Sequence, residues 1–169
     1  MANIGLFYGS NGGATEDVAQ RIAARLGDVD LFAISESTID RISDYEQVIL
    51  GTSTYGDGDL QDDWDGVLSR LDDIDFSDRT VALFGLGDQD GFPDTFLDGM
   101  GILNEKLAER GARFVGRWDS DGYDFMQSKA IADGGFAGLA IDEDNQSDLT
   151  DERIARWVDQ LKAEFRKGA

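Results

Sequence analysis

The sequence contains no cysteine, no histidine and a single proline. Without cysteine the chain forms no disulfide, no thiolate zinc site and no cysteine-ligated iron–sulfur cluster. Without histidine it has no Ser-His-Asp triad, no HExxH zinc site and no imidazole base near neutral pH. Any chemistry must therefore come from carboxylates, from backbone groups or from a bound cofactor.

Basic residues are also scarce, because 15 Lys and Arg face 35 Asp and Glu, for a net charge of -20. This balance argues against nucleic acid and anionic membranes and favours a basic protein partner. No apolar run approaches 18 residues, and the first residues lack a secretory pattern. We therefore expect a cytoplasmic, monomeric protein without membrane insertion, folded as one domain over residues 1–169.

Strand-like and helix-like segments alternate along the chain. Short apolar runs at 4–8, 29–34, 48–50, 81–86, 113–118 and 139–141 predict strands, and periodic apolar residues predict helices over 14–26, 62–71, 95–110 and 150–165, with Thr150 as the cap of the last. This alternation predicts an α/β fold, a parallel sheet with helices on both faces. Ligands of such folds bind outside the carboxyl ends of the strands.

The loop over 9–15 follows the first strand and opens the first helix. Its glycines let backbone N–H groups turn inward, Ser10, Asn11 and Thr15 add polar side chains, and the helix N-terminus favours a phosphate. The loop has no Lys or Arg and matches neither a Walker loop nor GxGxxG. A phosphate site and a plain polar turn remain equally open on this loop alone.

Two further glycine-rich loops, over 52–59 and 85–92, each contain one aromatic residue at the same predicted sheet edge. Tyr55 and Phe92 are placed to stack on the two sides of a flat ring, an arrangement worth about 0.5–1.5 kcal/mol beyond burial. The alternative is that each aromatic only anchors its own loop. Two aromatics beside a phosphate-type loop favour the ring site.

The chain resembles the flavodoxin family, of the long-chain kind, over essentially its whole length. The segments that carry the resemblance are 4–10 (IGLFYGS), 50–55 (LGTSTY), 82–89 (ALFGLGDQ), 116–123 (GRWDSDGY) and 138–146 (GLAIDEDNQ). The resemblance implies a flavodoxin-like doubly wound three-layer sandwich with a five-stranded parallel sheet in the order 2-1-3-4-5. The segment around 119–138 corresponds to the insertion in the last strand that marks the long-chain group.

The resemblance also implies a non-covalent FMN and a low-potential one-electron carrier, not an enzyme, that uses the hydroquinone/semiquinone couple. Expected partners are basic-faced redox proteins such as a ferredoxin/flavodoxin-NADP reductase and low-potential acceptor enzymes. By the resemblance, Tyr55 and Phe92 flank the flavin ring and Asp144 lies near the ribityl chain. The remaining cofactor residues it implies are Ser10, Asn11, Gly12, Gly13, Ala14 and Thr15 at the phosphate, and Ser53, Thr54, Gly56, Asp57, Gly58, Leu86, Gly87 and Asp88 around the ring.

Three positions depart from the family pattern. Gly12 stands where Thr is usual, Ala14 where Lys or Asn is frequent, and the stacking pair is Tyr55 and Phe92 where Trp and Tyr are common. We therefore expect somewhat weaker FMN binding. In the family the peptide at Gly56–Asp57 flips when the flavin takes one electron, and glycine tolerates the positive φ that such a flip needs. The alternative is a tight turn only.

Acidic residues around the predicted site suggest two roles. Asp57, Asp59, Asp88 and Asp144 would oppose the negative charge of a fully reduced flavin and lower its potential. The run 57–78 holds nine acids and only one base, and it predicts either a docking surface for basic partners or a solvated face. The spacing of acids does not fit a calcium-binding EF-hand loop, so we expect no metal site.

Three other functions share features with this pattern. A receiver domain has the same architecture but needs an acidic pair after the first strand, where this chain has Gly9 and Ser10. An FMN-dependent NAD(P)H:quinone or flavin reductase would use the same fold, yet no basic pocket for a dinucleotide is apparent. A protein-interaction domain that has lost FMN is opposed by the three intact loops.

Overall fold

The computed structural model describes residues 2–55 and 57–168, with side chains through Phe165. The strands are Ile4–Tyr8 (β1), Val29–Ala33 (β2), Gln47–Tyr55 (β3), Asp59–Leu60 (β4), Thr80–Leu86 (β5), Arg113–Val115 (β6), Ile131–Ala132 (β7), Gly135–Phe136 (β8) and Leu139–Ile141 (β9). The α-helices are Ala14–Leu26 (α1), Asp62–Val67 (α2), Asp98–Glu109 (α3) and Ser147–Gly168 (α4), and 3-10 helices cover Ile39–Asp44 and Leu68–Asp73.

The main sheet is parallel and runs in the order β2-β1-β3-β5, with β6 and β9 both beside β5. β6 pairs with the first half of β5, where Val81 lies opposite Phe114, and β9 pairs with its second half, where Gly85 lies opposite Ala140. The predicted order of parallel strands is confirmed. The sheet has seven strands instead of the predicted five because its last position is divided and β4 adds antiparallel to β3.

Helices cover both faces of the sheet. α1 and α4 pack against each other on one face, and α3 packs against β3 and β5 on the other. β5 is therefore buried along its whole length, which explains its uninterrupted apolar sequence. Trp157 of α4 donates its indole N–H to the Gly116 carbonyl at 2.8 Å, and Trp64 of α2 donates to the Gly51 carbonyl at 2.8 Å. Each buried indole thus has a hydrogen-bond partner.

The segment 116–138 leaves the sheet after β6 and returns at β9. Trp118 and Phe136 exchange backbone hydrogen bonds of 3.1 and 2.7 Å, and β7 pairs with β8. The Tyr123 hydroxyl donates to the Ala140 carbonyl at 2.5 Å, and its ring packs edge-on against Phe136. These contacts dock the insertion on the end of the sheet that carries β9.

Several predicted boundaries differ from the structure. α3 begins at Asp98, three residues later than predicted, because Leu97 adopts a left-handed backbone with φ of 60°. α4 begins at Ser147, and Thr150 lies inside it, where its hydroxyl donates to Glu143 Oε2 at 3.0 Å. The predicted helix 62–71 divides into α2 and a 3-10 helix, and the strand predicted over 113–118 ends at Val115.

Candidate functional site

A cavity of about 400 Å³ opens at the carboxyl ends of the parallel strands. It is lined by Gly12, Ala14, Thr15, Ser53, Thr54, Tyr55, Leu86, Gly87, Asp88, Phe92, Glu143 and Asp144. These residues come from the carboxyl ends of β3 and β5, from the first turn of α1, and from the loops that follow β1, β5 and β9. The cavity therefore lies where ligands of doubly wound folds bind, and its volume is within the usual range for a small-molecule site.

The loop before α1 forms one end of the cavity. Gly13 precedes α1 with φ of 94°, and no side chain caps the N–H groups of the first turn. The Ser10 hydroxyl accepts a hydrogen bond from the Gly13 N–H at 3.0 Å, and the Thr15 hydroxyl donates to Ser53 Oγ at 3.2 Å. Uncapped N–H groups and hydroxyls at a helix N-terminus suit an anion.

Two aromatic rings border the cavity. The Tyr55 side chain is 38% exposed and the Phe92 side chain 48%, although both line the cavity. Ser53 Oγ donates to the Tyr55 hydroxyl at 3.2 Å. Together with the Thr15–Ser53 hydrogen bond, this contact connects the Tyr55 ring to the loop over 9–15. Half-exposed rings beside a cavity leave faces free for a planar ligand.

Leu86 and Gly87 form the edge of the cavity at the end of β5. The Gly87 N–H donates to the Ile141 carbonyl at 3.1 Å, so this edge continues the pairing of β5 with β9. A Cβ at Gly87 would meet Leu97 and Phe96 at 3.1 Å. Because Leu97 and Phe96 approach so closely, a residue with a side chain would fit at position 87 only if these neighbours moved, which explains why glycine occupies it.

A buried carboxylate holds the loops around this edge together. The Asp142 side chain is fully buried and accepts hydrogen bonds from the Gln89 N–H at 3.1 Å and from Gln89 Nε2 at 2.6 Å. It also accepts from the backbone N–H groups of Asp144 and Asn145 at 3.1 and 3.0 Å and from Asn145 Nδ2 at 2.9 Å. Gln89 Oε1 accepts from the Asp124 N–H at 2.6 Å, which extends the network into the insertion. Five donors thus converge on one carboxylate.

Three carboxylates make this side of the cavity negative. Single oxygens of Asp88, Asp142 and Asp144 all lie within 4.8 Å of one another. The pKa of Asp88 is lowered, chiefly by hydrogen bonds from the Gly91 N–H and the Asn145 side chain. The pKa of Asp144 is raised by partial burial and by repulsion from Asp88 and Asp142. Negative charge is therefore concentrated beside the aromatic end of the cavity.

The structure separates the predicted cofactor residues into two groups. Those that line the cavity are Gly12, Ala14, Thr15, Ser53, Thr54, Tyr55, Leu86, Gly87, Asp88, Phe92 and Asp144. Ser10, Asn11, Gly13, Asp57 and Gly58 do not line it. Ser10 and Gly13 shape the loop through their hydrogen bond, and Asn11 accepts from Gln61 Nε2 at 2.8 Å.

The loop after β3 only partly reaches the cavity. Asp57 lines a separate surface cavity with Asp94 and Asp98, and Gly58, with φ of 95°, donates its N–H to the Tyr55 carbonyl at 3.2 Å. Gly56 lies outside the described residues, so the flip of the Gly56–Asp57 peptide stays a prediction.

Sequence reasoning missed three residues around the cavity. Glu143 lines it directly, and Gln89 and Asp142 support its loops without lining it. Glu143 is adjacent to the predicted Asp144, so the acidic run 142–144 was an available signal. The pairing of Gln89 with Asp142 joins positions 53 residues apart and has no local signal.

A family model of flavodoxins matches residues 6–157. The chain belongs to the flavodoxin family. The flavodoxin of Nostoc sp. (strain PCC 7120) is 52% identical over 164 residues, covering 96% of each chain, and that of Helicobacter pylori is 42% identical over 165 residues, covering 98% of this chain and 99% of the relative. The structure of Fusobacterium nucleatum flavodoxin bound to flavin mononucleotide superimposes with a TM-score of 0.92 at 34% identity, covering 97% of this chain and 99% of that one.

Membership of the flavodoxin family agrees with the architecture derived from the residues. The order of the parallel strands and the position of the cavity at their carboxyl ends agree with the expectation from the sequence. None of the helices in the described part of the chain combines the length and apolar composition that a membrane span requires.

Proposed function

We propose that this flavodoxin-family protein binds FMN without a covalent bond and carries single electrons at low potential between redox proteins. The observation that carries the proposal is the cavity at the carboxyl edge of the sheet, which has uncapped helix N–H groups at one end and two aromatic rings at the other. The first end suits a phosphate and the second a flat ring. The Fusobacterium nucleatum relative of very similar fold binds flavin mononucleotide.

The residues divide the work of holding the cofactor. The first turn of α1, with the hydroxyls of Thr15 and Ser53, would hold the phosphate, and Tyr55 and Phe92 would enclose the ring and exclude water from its faces. Backbone groups of Leu86 and Gly87 would meet the polar edge of the ring. Bound FMN supplies the one-electron chemistry that a chain without cysteine and histidine lacks.

The decisive experiment is a titration of the apoprotein with FMN, in which quenching of flavin fluorescence measures binding. Replacing Thr15 with Val keeps the shape of the side chain and removes its hydroxyl. Because one charge-assisted hydrogen bond to the phosphate is lost, we expect the FMN Kd to rise about tenfold.

Riboflavin, which has no phosphate, is the matched control ligand, and its Kd should be unchanged by Thr15→Val. An equal loss for both ligands would show that Thr15 only supports the fold. Failure of the parent apoprotein to bind FMN would refute the proposal as a whole.

We propose that the carboxylates of Asp88, Asp142 and Asp144 lower the reduction potential of the cofactor. Asp144 lines the cavity, and partial burial, with a further contribution from repulsion by Asp88 and Asp142, raises its pKa. Replacing Asp144 with Asn removes one negative charge. A unit charge at about 7 Å and an effective dielectric of about 20 contributes about 2 kcal/mol, or about 0.1 V for one electron. Asp144 is exposed, so we expect the second reduction potential to rise by about half of that, about 50 mV, in spectroelectrochemical titration.

The same substitution makes a prediction about pH. Since folding raises the pKa of Asp144 above the usual 3.8, its contribution to stability is fully present below that value and is lost as the pH rises through the folded pKa. Asp144→Asn should therefore raise the free energy of unfolding at neutral pH, and the gain should vanish toward pH 3. A gain that persists at pH 3 would contradict this account.

Electron carriage requires redox partners, and we propose that they present basic faces, as a ferredoxin/flavodoxin-NADP reductase or a low-potential acceptor enzyme would. Phe92 is exposed beside the cavity, and Met126, 75% exposed, is joined to the same loop because its N–H donates to the Pro93 carbonyl at 2.8 Å. Of the acidic run 57–78, Asp57 lies beside this loop, since it lines a surface cavity together with Asp94. Steering by opposite charge should make the rate of electron transfer fall as salt rises; a rate independent of ionic strength would exclude it.

The alternative of an FMN-dependent NAD(P)H:quinone or flavin reductase is not supported, because the relatives described above are all flavodoxins. We propose that the protein carries electrons as a single-domain monomer. The buried apolar residues form one continuous cluster, and a charge of -20 opposes self-association. Its cytoplasmic location stays a prediction.

A further inference from the structure

A second cavity, of about 460 Å³, lies between the insertion and α4. It shares no lining residue with the cavity at the carboxyl ends of the strands, which is the proposed FMN site and is called the flavin cavity below. Trp118 and Tyr123 line it from the insertion, and Arg153 and Arg156 line it from α4. The proposed FMN site makes no use of these four residues, so the second cavity needs an explanation of its own.

Arg153 is the unusual group in this cavity. Only 7% of it is exposed, and its guanidinium lies 4.1 Å from the centre of the Tyr123 ring. Among residues 2–55 and 57–165, no side chain or backbone group accepts a hydrogen bond from Arg153, and its buried Nη1 is one of two orphaned side-chain atoms. A buried guanidinium without an acceptor is costly, because water no longer satisfies its N–H groups.

Arg156 repeats the arrangement at the surface. Its guanidinium lies 5.2 Å from the centre of the Trp118 ring, and within the described part of the chain no carboxylate comes within 4.0 Å of it. Other cations of the chain pair readily with its surplus acids, as Arg70 does with Asp40 at 2.9 Å and Lys106 with Asp72 at 3.0 Å. Two arginines of one cavity that have no carboxylate partner among the described residues of so acidic a protein indicate a site for an external anion.

We propose that this cavity binds a small organic ligand through its carboxylate group, which the guanidinium groups of Arg153 and Arg156 recognise. The aromatic rings hold both guanidinium groups in place before the ligand arrives. A carboxylate is planar, accepts two parallel hydrogen bonds from a guanidinium and carries a single charge.

The lining also favours a carboxylate over a phosphate. Asp119, Asp121 and Glu152 line the cavity as well, and they repel a dianion more strongly than a monoanion. The singly charged planar group is therefore favoured over a phosphate dianion.

The test uses NMR of the flavin-loaded, ¹⁵N-labelled protein, with sodium acetate as the probe against sodium chloride at constant ionic strength. We expect saturable shifts of the Arg153 Nε–H and Gly122 N–H signals, because both residues line the cavity. The visible flavin spectrum should not change, which separates this site from the flavin cavity. Inorganic phosphate should bind more weakly than acetate.

Two variants make the test specific. Arg156→Gln removes an exposed group, so folding should be preserved, and the acetate Kd should rise at least tenfold because a charge-assisted hydrogen bond is lost. The matched control Arg110→Gln, at the end of α3 and outside this cavity, should leave the Kd unchanged.

Each of the following results would overturn the proposal. Acetate could produce no saturable shifts, or Arg156→Gln and Arg110→Gln could change the acetate Kd equally. Phosphate could bind as tightly as acetate. Finally, the Arg153 Nε–H signal could be insensitive to acetate and yet be altered by Asp121→Asn. Arg153 would then be paired with a carboxylate of its own chain.

Discussion

Replacing Asp142 with alanine is expected to weaken FMN binding by at least about 100-fold, equivalent to about 2.7 kcal/mol. The Asp142 carboxylate is fully buried and accepts five hydrogen bonds, two from Gln89 and three from the loop that follows β9. Removing it leaves the backbone N–H and the side-chain amide of the buried Gln89 without this acceptor, and it releases the loop that follows β9. The loops that carry Asp88 and Asp144 would then have to be ordered by the cofactor itself, and this ordering reduces the affinity.

The measurement is the FMN Kd of the apoprotein, together with the free energy of unfolding. We expect the latter to fall by about 3 kcal/mol or more, the range for breaking a buried charged network. Asp142→Asn keeps one acceptor oxygen and should lie between the parent and the alanine variant.

The matched control is Asp75→Ala. The Asp75 carboxylate is exposed and, among the described residues, accepts only from the N–H and hydroxyl of Ser77, at 3.0 and 2.7 Å. This control should change FMN affinity less than twofold. An Asp142→Ala variant that binds FMN as tightly as the control would contradict the assignment of Asp142 as the anchor of the site loops.

Replacing Gly138 with alanine is expected to lower the free energy of unfolding by about 3 kcal/mol or more. Gly138 directly precedes β9, and a Cβ there would overlap the carbonyl oxygen of Leu83 in β5. Backbone atoms cannot turn aside as a flexible side chain can, so β9 must move away from β5. Because β9 leads into Asp142, we expect FMN affinity to fall as well.

Urea unfolding provides the measurement, with the change read from the transition midpoint at constant slope. Gly66→Ala is the matched control, since alanine favours a helix and, apart from the adjacent residues and the backbone of α2 itself, no described atom lies within 4 Å of its Cβ position. The control should be neutral or stabilising by up to about 1 kcal/mol. Equal midpoints for the two variants would show that the approach of Gly138 to Leu83 does not constrain the fold.

Local patterns in the sequence were sufficient to predict most elements and the general location of the site. The bounds of β1, α1 and β9 agree with the prediction, because each element has its own periodicity and a glycine at one end. The boundaries that failed depend on tertiary contacts. Leu97 adopts a left-handed backbone while it is fully buried, and Thr150 meets Glu143 instead of capping α4.

The sequence by itself determined the class of fold and the three loops at the cavity, because these follow from periodicity and from the placement of glycines. Only the tertiary structure decided that β6 and β9 share one sheet position, that Gln89 meets Asp142, and that the buried Nη1 of Arg153 has no acceptor within the described part of the chain. The physical reason is distance along the chain. Hydrogen bonds between residues far apart in sequence form only when the packed core brings them together, and no local pattern records them.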